Sequence, residues 1–288
     1  MRFSPYIRRL FLTLGILLLA GCASLGSGNG QAFAKSDKAQ ALAALDRPNL
    51  TPKNLFGQEP PKRVIHSLAV VGDSLSIALA SEMEKALADK PGLGFASLGK
   101  VSSGLARPDF FDWDRNMDDL ARRYKPDAVV MMIGANDNKP LHLPDGSQIG
   151  YGTAEWDRGY MERVRRIVAI IRAYNPSATV FWLEAPVMAD PILSQDLRHI
   201  NALARKVMNA SRDCHFVDTW ALFSATGGGF AFSKPDVEGG ATLRARDGVH
   251  LTQAGAQALA EHCLTALHAR LTWDDPRPTD IPMADKGV

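Results

Sequence analysis

Four short segments, far apart in the chain, carry side chains that can do covalent chemistry together. An apolar run ending at Val71 opens into Gly72-Asp73-Ser74-Leu75. A serine at a strand-to-helix turn can present its hydroxyl and its backbone N–H to the same space, as a nucleophile requires; it can equally serve as a helix N-cap. The spacing is not that of the nucleophile elbow G-x-S-x-G, because Ser76 stands where the second glycine would be. A second apolar run ends in Gly99-Lys100-Val101-Ser102-Ser103-Gly104-Leu105. A glycine there either lets a backbone N–H approach a ligand or makes a plain turn. A third ends in Gly134-Ala135-Asn136-Asp137, whose Asn136 amide can donate to an oxyanion or close an Asx turn. Near the other end, Asp247-Gly248-Val249-His250 sets a carboxylate and an imidazole three residues apart. Asp can hold the histidine tautomer that acts as general base, although such a pair also occurs in ordinary surface loops. A serine, a histidine and oxyanion donors act without metal or cofactor, and the sequence has no H-E-x-x-H and no cysteine pair at zinc spacing.

The elements that must position these residues follow from hydrophobic period. Short apolar runs at 64–71, 94–100, 128–133, 178–183 and 215–218 predict strands, and amphipathic stretches at 75–89, 112–124, 154–174, 193–211 and 252–271 predict helices. Strict alternation of the two predicts one doubly wound α/β domain with a five-stranded parallel sheet and helices on both faces. The active crevice of such a fold lies beyond the carboxyl ends of the strands, where all four segments fall.

Taken in order, the four segments resemble the blocks of the SGNH, or GDSL-type, serine hydrolase family, across roughly residues 64 to 271. The stretch Ser102-Ser103-Gly104-Leu105-Ala106-Arg107-Pro108-Asp109-Phe110-Phe111-Asp112-Trp113 further resembles a bacterial periplasmic branch known as a domain of unknown function, DUF459. The resemblance implies a three-layer α/β/α, flavodoxin-like fold and an esterase. It makes Ser74 the nucleophile, His250 the general base and Asp247 its orienting partner, with an oxyanion hole from the N–H groups of Ser74 and Gly104 and the Asn136 side chain. Asp73 and Asp137 read as structural braces of their turns. Arg107, Arg244 and Arg246 fall in segments that should border the crevice. Arg107 and Arg246 are candidate ligands for a carboxylate on an acidic glycan, against the plainer reading of solvated loop arginines. Phe110, Phe111 and Trp113 read as the apolar face that docks the next helix in preference to a sugar platform.

The chain begins with Arg2, Arg8 and Arg9 before a short apolar run, Leu10 to Ala20, then Gly21-Cys22. That is the pattern of a secretory signal, and the run is too short for a helix to span a bilayer core of about 30 Å. Leu19-Ala20-Gly21-Cys22 resembles a bacterial lipobox, which implies cleavage, acylation of Cys22 and a membrane anchor. Ala23 after the cysteine favours the outer membrane, facing the periplasm. The expected organisation is therefore signal peptide 1–21, lipidated cysteine and tether 22–61, hydrolase domain 62–272 and tail 273–288. The formal charge of +2 shrinks once the three leader arginines leave: 30 basic side chains then face 31 acidic ones. A nearly neutral domain is a poor nucleic-acid binder. In an oxidising compartment Cys214 and Cys263 can close a disulfide or remain as buried thiols.

These readings converge on a lipid-anchored serine esterase that removes small O-acyl groups, acetyl first among them, from cell-envelope or exported polysaccharide. Alternatives are a lipase or thioesterase, an O-acyltransferase and, in another class, a non-catalytic envelope-binding lipoprotein.

Overall fold

In the computed structural model, residues 62–90, 92–234 and 240–273 are described. The leader, Cys22, the tether and the tail after residue 273 lie outside them.

The sequence order is β1 (Arg63–Val64), β2 (Ser67–Gly72), α1 (Ser74–Ala86), β3 (Gly94–Gly99), α2 (Trp113–Tyr124), β4 (Ala128–Met132), β5 (Leu141–His142), β6 (Gln148–Ile149), α3 (Ala154–Tyr174), β7 (Thr179–Leu183), α4 (Pro191–Asn209), β8 (Cys214–Val217), a 3₁₀ turn (Trp220–Phe223), α5 (Gln253–His268) and β9 (Leu271–Thr272). Five strands pair in parallel in the order β3-β2-β4-β7-β8. α1 packs with α5, while α2, α3 and α4 pack in a row, so helices cover both faces of the sheet. This is the three-layer α/β/α, flavodoxin-like arrangement.

Residue type explains the sheet order. β4 and β7 are buried along their whole length and β2 at every residue after Ser67, as their unbroken apolar runs require of strands covered on both faces. The edge strands β3 and β8 are only partly buried. Trp156, Trp182 and Phe181 are among the largest fully buried side chains, and truncating a core aromatic of this kind costs about 3–5 kcal/mol. Each of the five α-helices among the described residues starts at a side-chain cap: Asp73, Asp112, Thr153, Asp190 and Thr252 accept a backbone N–H from the first turn. Such a cap contributes about 1 kcal/mol.

Several boundaries differ from those expected. The first strand breaks at Ile65–His66; its opening piece, β1, pairs in parallel with β9, which lies where the last helix was expected to end. Residues 138–152, which lie between the third predicted strand and the third predicted helix, hold the antiparallel hairpin β5–β6. Helix α4 begins two residues early because Asp190 caps it and Pro191 pre-sets its first turn.

Candidate active site

The nucleophile side of the site is built by strand register. Gly72, at the end of β2, pairs with Gly99 of β3 and Met132 of β4, so the loops that follow these strands emerge side by side. The chain leaves β2 toward β3 on one side and returns to β4 on the other, and this switch point opens the crevice. Gly72 has φ +150°, and a Cβ there would collide with the carbonyl oxygen of Met132. The close approach lets Asp73 N donate to Met132 O at 3.0 Å and Lys100 N to Gly72 O at 3.0 Å.

Asp73, not Ser74, is the N-cap of α1. Its Oδ1 accepts from Leu75 N at 3.0 Å, which leaves the Ser74 hydroxyl free for another partner. The Asp73 Oδ2 accepts from Ala135 N at 3.3 Å, tying the serine turn to the loop that carries Asn136. Asp137 ties that loop to the one carrying Gly104: its Oδ1 accepts from Ala106 N at 2.7 Å and its Oδ2 from the Tyr160 hydroxyl at 3.0 Å. A Cβ on Gly104 would collide with the Asp137 carboxylate, so the loops are packed to contact. Both acids are buried, and burial pushes the Asp73 carboxyl up to about 7 and that of Asp137 upward as well. Their roles are those of braces. The half-buried Asn136 gives one amide hydrogen to Ser103 O at 2.9 Å and keeps a second.

The acid–base side comes from the turn before α5, 176 residues from Ser74. His250 Nε2 lies 3.0 Å from Ser74 Oγ, and His250 Nδ1 lies 2.7 Å from Asp247 Oδ2. Asp247 Oδ1 accepts from the N–H groups of Val249 and His250, each at 2.9 Å. The bond with the His250 ring, helped by those two N–H groups, holds the Asp247 carboxyl well below the usual carboxylate range. Asp247 therefore stays ionised across ordinary pH and can orient the ring and stabilise an imidazolium.

The arginines sort differently from one another. Arg107 does not offer an open fork to substrate: its Nε and Nη2 are taken by Asp109 at 2.9 and 2.8 Å. The Asp109 carboxyl is in turn lowered to about 2, first by that bond. Arg246 is exposed beside Asp247, without an ion pair among the described residues. Arg244 is 1% exposed and lies beneath the site. Arg163 on α3 was not singled out from sequence; it donates to Leu105 O and His142 O and clamps the hairpin to the Gly104 loop. Of the aromatics, Trp113 is buried and Phe111 meets it edge-on, as helix-docking residues should; Phe110 is exposed, with Lys100 Nζ 5.8 Å from its ring.

The pairing of Cys214 with Cys263 is not formed; both are free and buried. Cys214 on β8 faces α3, where Arg172 Nη2 donates to its sulfur at 3.4 Å. Cys263 is in α5, on the opposite side of the sheet.

A family model described as a protein of unknown function, DUF459, matches residues 67–266. The chain belongs to the DUF459 family. No curated protein matches its sequence. Among solved structures, it is similar to an active-site mutant of a family two carbohydrate esterase from Clostridium thermocellum, with TM-score 0.50 and 17% identity over 74% of this chain and 66% of that one. It also resembles a carbohydrate esterase family 3 protein from Talaromyces cellulolyticus, with TM-score 0.49 and 14% identity over 70% and 96% of the two chains. The likeness to the Clostridium thermocellum esterase, with the GDS and G-x-N-D blocks in sheet order, gives this DUF459 chain the SGNH hydrolase fold.

Proposed function

We propose that this DUF459 protein is a serine esterase. The observation that carries the reading is the unbroken chain of hydrogen-bonding distances from Ser74 Oγ through His250 to Asp247. Ser74 attacks an ester carbonyl while His250 takes its proton. The developing oxyanion is met by the N–H groups of Ser74 and Gly104 and by the Asn136 amide hydrogen that Ser103 does not use. His250 then protonates the leaving alkoxide, and the acyl-serine is hydrolysed by a water that His250 deprotonates.

Exposure favours hydrolysis over acyl transfer. The side chains of His250 and Asp247 are 47% and 50% exposed, so water reaches the imidazole during deacylation. For substrate, we propose small O-acyl esters, acetyl first, on cell-envelope or exported polysaccharide. The fold shared with carbohydrate esterases and the lipobox-like Leu19-Ala20-Gly21-Cys22 support this reading. In it, acylated Cys22 anchors the domain at the periplasmic face of the outer membrane, and Arg246 is the remaining candidate contact for an acidic sugar.

The deciding experiment follows release of p-nitrophenol from its acetyl and octanoyl esters by wild type and Ser74→Ala. Turnover lost in the variant and faster on acetate is the expected result. Equal rates in wild type and variant would overturn the esterase, and preference for octanoate would overturn the acetyl assignment.

A further inference from the structure

The turn that carries Asp247 and His250 is exposed, yet the site needs it held to a few tenths of an ångström. What holds it from below is Arg244. This guanidinium is 1% exposed and, among the described residues, makes no hydrogen bond or ion pair with an acidic side chain. Its Nη1 donates to Val187 O at 2.7 Å, and its Nη2 donates to Val249 O at 2.7 Å, with Gly248 O at 3.3 Å and the Met188 sulfur at 3.0 Å alongside. The rings of Phe223 and Phe230 lie 5.4 and 5.2 Å from its centre. Burying a cation chiefly against carbonyls and rings is costly, and burial lowers the guanidinium to about 10 although the nearby Asp247 charge pulls it upward.

The carbonyls it holds are particular ones. Gly248 O and Val249 N belong to one peptide unit, and Val249 O and His250 N to the next. Asp247 Oδ1 accepts the two N–H groups, and Arg244 Nη2 is directed at the two carbonyls. The two consecutive peptide planes between Asp247 and His250 are thus gripped from above by a carboxylate and from below by a guanidinium. Each grip polarises the peptide toward the other, since hydrogen bonds in series strengthen one another. The same guanidinium reaches Val187 and Met188, and Ala189 N donates to Gly248 O at 3.0 Å, so the turn is moored to the segment after β7.

We propose that Arg244 is a positioning residue: through these two peptides it fixes the Asp247 carboxylate and so aims His250 Nε2 at Ser74. The proposal rests on the esterase reading. Lysine cannot replace it, because a single ammonium lacks the planar fork that reaches Val187 and Val249 together.

The test compares full-length wild type, Arg244→Met and Arg244→Lys. Each is labelled to completion with a fluorophosphonate to count competent Ser74 sites, and kcat and KM on p-nitrophenyl acetate are expressed per site. A merely structural role lowers the number of sites and leaves kcat per site unchanged. Positioning lowers kcat per site by about 10²-fold in Arg244→Met, the scale of an ångström misplacement, with KM little changed. Arg244→Lys, which keeps the charge and covers the case in which the methionine variant does not fold, should lose about 10-fold per site. Wild-type turnover with kcat per site preserved in whichever variants fold would overturn the proposal alone. A wild type that neither takes the phosphonate nor hydrolyses ester would overturn the esterase reading and this one with it.

Discussion

Asp73 and Asp137, which brace the nucleophile side of the site, are 1% and 0% exposed, whereas Asp247 and His250, on the acid–base side, show about half of their side chains to solvent. The two sides solve one problem by different means. Ser74, Gly104 and Asn136 follow the ends of three adjacent strands, whose register brings the connections out side by side. Buried carboxylates then knit the loops to each other. His250 belongs to a turn closed by backbone bonds from Ala245 N to His250 O at 2.8 Å and from Gly248 N to Ala245 O at 3.0 Å, with the Asp247 cap above and Arg244 below. A nucleophile and its oxyanion donors must keep a fixed mutual distance. The base must also exchange protons with water, which a fully buried imidazole does poorly.

Substitutions can break this contrast at different depths. Asp247→Asn should cut kcat on p-nitrophenyl acetate about 10⁴-fold through the wrong histidine tautomer, with a modest loss of thermal stability as the ionised carboxylate is lost; a kcat close to wild type would show that Asp247 does not orient His250. Asn136→Ala should cost about 10²–10³-fold in kcat on p-nitrophenyl acetate, the usual loss for one oxyanion donor.

The braces make a prediction of opposite kind. Asp73 keeps its proton in the folded state up to about pH 7, whereas the unfolded chain releases it near 3.8. Between those values the folded state binds more protons, so this group makes stability fall as pH rises from about 4 to about 7, by at most about 1.4 kcal/mol per pH unit. The gap between urea midpoints at pH 5 and 8 should narrow in Asp73→Asn, with the raised Asp137 carboxyl keeping part of it, and stay as in wild type in Asp247→Asn. The smallest expected effect is that of Arg107→Ala: its fork is already engaged by Asp109 in an exposed, solvent-screened pair, so kcat/KM should stay within about 2-fold of wild type.

The five strands and five helices were legible because burial writes a period into each segment. Val129, Val130 and Met131 are fully buried where the apolar run said they would be. The GDS and G-x-N-D turns were legible because caps and tight turns are local chemistry. The fates of the arginines were not. Arg107 and Arg244 both read as loop cations near the crevice, and only their surroundings separate them: a carboxylate two residues on for one, carbonyls 57 and 5 residues away for the other. The hairpin β5–β6 and the pair β1–β9 were hidden because two-residue strands are too short to show alternation.

By itself the amino-acid sequence determined the layer architecture, the end of the sheet at which chemistry can occur and the residue types available for it. All of these follow from interactions spanning a few residues or from a repeating hydrophobic period. Tertiary structure alone decided which imidazole nitrogen meets Ser74, that Cys214 and Cys263 lie on opposite faces of the sheet, and that Arg244 turns inward under the Asp247–His250 turn. Each of these depends on which distant segments pack against each other, and an amino-acid pattern read along the chain carries no record of that.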